Sequence, residues 1–251
     1  MNDEQLDRYS RHLLLPQLDY DGQNRIVEAH ALILGLGGLG SSAALYMASS
    51  GVGRITLVDP DTLESSNLQR QVIHNESRLG HNKAESAKQS IELLNSQAEV
   101  KAIGHEVDDE TLIELVKAAD IVLDCTDNGD SRRRHNRVCV ETKTPLVSAA
   151  AIRFEGQMMV IDSRLESAPC YQCVYPDVDQ QEMSCSESGI FAPVVGLMGV
   201  HQALEALKLL GKVGTNLSGK LMSFDGLSGQ WRNFNVQKNP KCPVCGTGID
   251  S

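Results

Sequence analysis

Short apolar runs recur at intervals through the first 150 residues, and most are followed by a stretch in which apolar residues return every three or four positions. Residues 30–35, 54–59, 100–105, 121–125 and 146–150 read as strands, and residues 38–50, 82–94, 109–117 and 129–143 read as helices. Alternation of this kind predicts an α/β fold, with a doubly wound, mainly parallel sheet covered by helices on both faces. Two N-terminal helices, over 3–12 and 20–29, are expected ahead of it with a break at Pro16. After Gly156 the rhythm changes. A strand over 157–162 leads into a Pro- and Cys-containing loop over 163–190, then a long helix over 193–210. Residues 221–234 read as a hairpin turning near Asp225 and Gly226, so the last third should extend the sheet with antiparallel strands. One domain over 1–251 is expected, divided into N-terminal helices (1–29), an α/β part (30–156) and a cysteine-bearing part (157–251).

Composition narrows the function. With 33 acidic against 23 basic residues the formal charge is −10, which argues against nucleic acid as a partner. The expected long helix is interrupted by His201, Gln202, Glu205 and Lys208, the pattern of a buried amphipathic helix and not of a membrane span. The N-terminus has no basic segment followed by an apolar run, and the seven cysteines are an odd number, so a reducing cytoplasm is expected.

Four of those cysteines form two C-x-x-C pairs, Cys170 with Cys173 and Cys242 with Cys245. Each spacing lets two thiolates face one metal from a tight turn, and two such pairs complete a closed, tetrahedral, structural zinc site. Two disulfides, or two unrelated buried pairs, are the alternatives. Cys125 and Cys139 read as buried core thiols, on a strand end and a helix.

The chemistry is expected elsewhere. Residues 35–40 read G-L-G-G-L-G between a strand and a helix, and Asp59 closes the next strand about 20 residues on. Glycines let the backbone turn sharply and approach a phosphate or ribose, the helix N-terminus favours negative charge, and the acid can accept from ribose hydroxyls. Taken alone, this suggests an NAD- or FAD-binding oxidoreductase. Three further clusters on the same expected sheet edge point to a nucleoside triphosphate. They are the polar S-N-L-Q-R-Q run over 66–71, Lys83 at the start of a helix, and D-C-T-D-N over 124–128, where a carboxylate can hold Mg2+ against phosphates.

At these residues, with R-Y-S-R-H over 8–12, A-P-V-V-G-L-M-G over 192–199 and the two cysteine pairs, the chain resembles the ThiF/MoeB/HesA family over essentially its whole length. The resemblance implies a Rossmann-like fold with the four-cysteine zinc site. It implies an adenylyltransferase that uses ATP and Mg2+ to activate the C-terminal glycine carboxylate of a ubiquitin-like sulfur-carrier protein ending in Gly-Gly. By matching position, Gly38 and Asp59 would hold the adenosine part. Ser66, Asn67, Leu68, Gln69, Arg70 and Lys83 would surround the phosphates, and Asp127, with Asn128 beside it, would bind Mg2+. Arg11 would act on the triphosphate of the partner subunit in a homodimer. Cys185 would link covalently to the carrier, or is an ordinary loop cysteine. The run Arg132, Arg133, Arg134 reads as a solvated helix face, with Arg132 and Asn136 as exceptions at the family's spacing.

Two branches compete. Residues 225–232, the C-P-V-C-G knuckle and residues 43–46 look like the thiamine branch, whereas residues 150–157 look more like the molybdopterin branch. The balance leans to thiamine. The chain stops just after the knuckle, without an appended rhodanese domain, so a separate sulfur donor is expected. A redox enzyme and a catalytically idle scaffold for a ubiquitin-like protein are the readings from other classes.

Overall fold

Strands β1 (His30–Leu34), β2 (Arg54–Val58), β3 (Glu99–Ile103), β4 (Ile121–Asp124) and β5 (Leu146–Ile152) run parallel, in the spatial order β3-β2-β1-β4-β5. The sheet continues antiparallel through β6 (Glu155–Ile161), β7 (Lys220–Asp225) and β8 (Gln230–Asn235). These elements belong to a computed structural model that describes residues 1–176 and 188–246. Central strands are buried on both faces, as their near-continuous apolar sequences require. The expected division at residue 156 lies inside β6, which pairs with β5 along its full length, so the sheet is continuous across it.

Successive strand residues feed opposite cores. Ala31 and Ile33 pack with α3 (Asp19–Glu28), α4 (Gly38–Ser49), α5 (Lys83–Leu94) and α9 (Ala192–Gly211). Leu32 and Leu34 pack with α6 (Asp109–Ala118), α7 (Gly129–Thr142) and the short α8 (Tyr171–Val174), together with Cys170 and Cys242. Helix α9 is long and apolar enough to cross a membrane, but half of its apolar window is buried here, against α4 and the sheet.

The expected N-terminal helix over 3–12 is instead two pieces, α1 (Asp3–Arg8) and α2 (Ser10–Leu13), joined at Tyr9. The cause is tertiary. Tyr9 is buried against Gly51, its hydroxyl accepts from Asn95 Nδ2 at 3.1 Å, and its backbone leaves the helical region at φ −97°, ψ 13°. Gly51 and Asn95 follow the C-terminal ends of α4 and α5. The N-terminal helices therefore sit at the sheet edge opposite the glycine turn, and α4 alone puts about 18 Å between the two.

Strand order reverses between β1 and β4, which opens a crevice beyond their C-terminal ends, where ligands of open α/β sheets bind. The glycine turn closes onto that crevice. Gly35 has φ +90°, and a Cβ there would lie 2.9 Å from Cys125 O. At Gly40 a Cβ would come within 1.9 Å of Gly35 O, so this glycine lets α4 press against the end of β1. Gly40→Ala is therefore expected to cost about 2 kcal/mol or more through forced separation of helix and strand, seen as a lowered Tm. An unchanged Tm would show that the close approach does not matter.

Candidate nucleotide site and cysteine cluster

The glycine turn is held from three sides. Leu36 N–H donates to Asp59 Oδ2 at 2.6 Å, while Leu36 O accepts from His74 Nε2 at 3.0 Å and from Ser41 Oγ at 3.4 Å. Asp59 Oδ1 also accepts from Asp61 N at 2.9 Å. Burial raises the Asp59 carboxyl above its ordinary value, opposed by the Leu36 and Asp61 amides and by Lys83. Burial likewise lowers His74, which stays a neutral imidazole bridging Leu36 O and Ser86 Oγ. Gly38 is buried, and a Cβ there would strike Val195 of α9 at 2.9 Å, so its small size serves packing. Its amide belongs to the first turn of α4, whose N-cap Gly37 supplies no side-chain cap, which leaves a place for an anion.

The run over 66–71 is a tight polar loop whose members serve different purposes. Residues Ser65–Asn67 form a 3-10 turn in which Glu64 and Asn67 cap one another reciprocally, so Asn67 spends its Oδ1 on the loop itself. Ser66 and Gln69 are exposed, Leu68 and Arg70 are half-buried, and Arg70 Nη1 donates to Ser66 O at 3.0 Å. Lys83 opens α5 behind its cap Asn82, and the Asn82 carboxamide ties together Asp59 O and Asp61 O. The Lys83 ammonium lies 2.8 Å from the exposed carboxylate of Asp61. Sequence reasoning missed Asp61 as this partner, although its place two residues after Asp59 was a usable signal.

At the end of β4, Asp124 is fully buried. Its Oδ1 accepts from Thr126 N and Oγ1 and stands 3.3 Å from His135 Nδ1. Burial opposes its charge, but His135, Arg132 and Thr126 outweigh that and hold the carboxyl below its ordinary value. Asn128 uses its side chain to cap α7 through Ser131 N at 2.9 Å. Asp127 is exposed and, with Arg132, lines one end of a groove of about 240 Å³. Ser148 and Ala150 of β5, Gln157 of β6 and Tyr175 wall that groove, and the Tyr175 hydroxyl donates to Gln157 Oε1. One carboxylate at the mouth of such a site is a donor set that fits Mg2+, which takes its other ligands from phosphates and water.

The arginine run is not one solvated face. Arg132 is buried and donates to Thr126 O at 2.8 Å, while Arg133 and Arg134 are half-buried and paired with Asp130 and Asp109. Asn136 is buried too, its Oδ1 accepting from Tyr171 N at 3.0 Å and tying α7 to the segment after Cys170. Arg11 is exposed on α2, at the edge opposite the glycine turn of its own chain. Cys185 lies outside the described residues. Cys125 and Cys139 are buried as expected, and burial raises both thiols far above the reactive range.

The two C-x-x-C pairs converge. Cys170 and Cys242 sulfurs are 3.6 Å apart, Cys173 and Cys245 are 3.4 Å apart, and all four sulfurs lie within 4.8 Å of one another as free thiols. Sulfurs bound tetrahedrally at about 2.3 Å from a zinc ion would be about 3.8 Å apart. This donor set can hold zinc, and the arrangement excludes two unrelated pairs.

With this geometry in view, three comparisons with known proteins align. The model of the ThiF family matches residues 9–244. The chain is 43% identical over 246 residues to the sulfur carrier protein ThiS adenylyltransferase of Escherichia coli K12, covering 98% of this chain and 97% of that protein. It is 40% identical over 246 residues to the molybdopterin-synthase adenylyltransferase of Salmonella typhimurium, covering 98% of each. The solved structure of E. coli MccB with ATP superposes with a TM-score of 0.81 at 26% identity, over 95% of this chain and 74% of that one. The chain belongs to the ThiF family.

Proposed function

We propose that this protein is an ATP-dependent adenylyltransferase that activates the C-terminal glycine carboxylate of a small ubiquitin-like sulfur-carrier protein, in the thiamine branch. The observation that carries the reading is a continuity of sites. A glycine turn with Asp59, the Lys83–Asp61 pair and Asp127 share one sheet edge, and Asp127 also opens onto the groove beside β5 and β6. A groove lined along β5 by Ser148, Ala149, Ala150 and Ala151 suits an extended tail without side chains, such as Gly-Gly.

The chemistry needs little more. The carboxylate of the tail is ionised at neutral pH, so it attacks the α-phosphorus without a general base, and pyrophosphate leaves. Negative charge grows on the phosphate oxygens as the new bond forms. Fixed cations aimed there stabilise it, a role given to Arg70 and Lys83, with Lys83 exchanging Asp61 for the nucleotide. Asp127 would hold Mg2+, which supplies further neutralisation of the triphosphate. Because Arg11 lies at the far edge of its own chain, it serves the triphosphate only from a second subunit, consistent with a homodimer. Zinc at the four cysteines, a cytoplasmic setting and a separate sulfur donor complete the reading.

The branch rests on residues 225–232 and the knuckle, and relatives named for both branches are similar at 43% and 40%. Carrier-dependent ATP–pyrophosphate exchange is the test, run with the thiamine carrier and with the molybdopterin carrier. Exchange with the thiamine carrier alone is the expected result, and exchange with the other alone would move the protein to the molybdopterin branch. Exchange with neither carrier would sink adenylation and leave the redox reading, which predicts a bound dinucleotide.

A further inference from the structure

Gln71 is 3% exposed, its Oε1 is buried with no hydrogen-bond partner, and its Nε2 makes no hydrogen bond among the described residues. Buried carboxamides are ordinarily paired, and leaving one open costs about 1–3 kcal/mol, so the position calls for a reason. The backbone around it is fixed. Gln71 N–H donates to Asn67 O at 3.0 Å, and Gln71 O accepts from His74 N at 3.1 Å. His74 is in turn bound to Leu36 O of the glycine turn. The side chain is thereby directed at Gly37: a Cβ built on that glycine would lie 3.6 Å from Gln71 Nε2.

Gly37 is the N-cap of α4, a helix of 12 residues whose N-terminus carries no side-chain cap. Two independent features meet there. One is a ring of unsatisfied backbone amides that favours an anion, and the other is the carboxamide of a buried side chain, whose Nε2 faces the same spot with no hydrogen bond among the described residues. We propose that Gln71 is a nucleotide-positioning residue, donating through Nε2 to a phosphate oxygen of the nucleotide held at the N-terminus of α4. This rests on the ATP reading above. The contact joins the phosphate loop over 66–70 to the glycine turn. Without nucleotide the amide is left unpaired, so the position favours binding over stability.

The test uses the full chain and two probes, AMP and adenosine, titrated calorimetrically against the wild type, Gln71→Leu and Gln71→Glu. Gln71→Leu is expected to weaken AMP about tenfold, the loss of one hydrogen bond to a charged group, with adenosine unchanged. Gln71→Glu should weaken AMP further, because a carboxylate then faces the phosphate. The nucleotide-free Gln71→Leu protein should melt no lower than wild type, since an unpaired polar group has been replaced by an apolar one. Equal AMP affinity in wild type and Gln71→Leu would overturn the proposal, as would an equal loss for adenosine or a clear fall in Tm. A wild type that binds neither AMP nor ATP would remove the nucleotide reading itself, a result distinct from failure of Gln71 alone.

Discussion

Asp127→Ala is expected to lower carrier-dependent ATP–pyrophosphate exchange by about a hundredfold or more, with Tm and zinc content unchanged. The two halves of that expectation have separate physical sources. Asp127 is exposed and makes no ion pair or hydrogen bond among the described residues, so its removal should alter stability by only about 0.5 kcal/mol. Its expected value lies in the triphosphate complex, where it would hold Mg2+ and the cation would neutralise charge worth several kcal/mol in the transition state. Asp124, three residues earlier, supplies the contrast. It is fully buried, and Asp124→Ala would strand the Thr126 hydroxyl and His135, at a cost of about 3–5 kcal/mol in stability. Exchange assays, thermal melts and metal analysis on both variants separate the two effects. Near-normal exchange in Asp127→Ala would take the metal away from that carboxylate.

Removing the zinc proposed for the four cysteines is expected to loosen the segment after β8 and to abolish carrier binding while ATP binding largely survives. Beyond the four sulfurs, the bonds that tie the described tail include Val236 N to Gly219 O and Lys238 Nζ to Glu166 O. Structural zinc sites contribute about 10–16 kcal/mol of binding free energy in small folded units, far more than these bonds replace. Cys170 and Cys173 flank the start of α8, and Tyr171 and Tyr175 of that segment wall the groove beside β5 and β6. Chelation should therefore open the groove from the cysteine side. The glycine turn, Asp59 and Lys83 are held by β1, β2, α4 and α5 and do not touch the cluster. Calorimetric titration of ATP and of the carrier before and after chelation, with proteolysis reporting on the tail, checks this. Equal loss of both affinities would show that the metal supports the whole fold and not one side of it.

Much of this molecule was legible because its signals are local. The βα alternation, the antiparallel ending and the long last helix of the described residues follow from the spacing of apolar residues over windows of five to twenty positions. The glycine turn was legible because its residues are adjacent in the chain and their small size has a direct steric meaning. The convergence of the cysteine pairs was legible because two short ligand spacings are each half of a known coordination geometry.

The misses share a cause. Tyr9 splits a helix that its own neighbourhood favours, because Gly51 and Asn95, more than 40 and 80 residues away, receive its ring and hydroxyl. Asn67 and Asn128 also cap their own turns through Oδ1, a second use of these side chains that local sequence did not show. His74, which braces the glycine turn, carries no pattern that distinguishes it from a loop histidine.

By itself, then, the sequence determined the class of fold, the edge on which a nucleotide should sit and the four cysteines that meet. Each depends on residue spacing, and spacing is preserved whatever the rest of the chain does. Tertiary structure alone decided which polar groups at that edge remain available to a ligand. It paired Lys83 with Asp61, buried Arg132 and Asp124, left Asp127 open, carried Arg11 to the far edge and left Gln71 without a partner. Burial and hydrogen-bond partnership are properties of packing between distant segments, and no local window contains them.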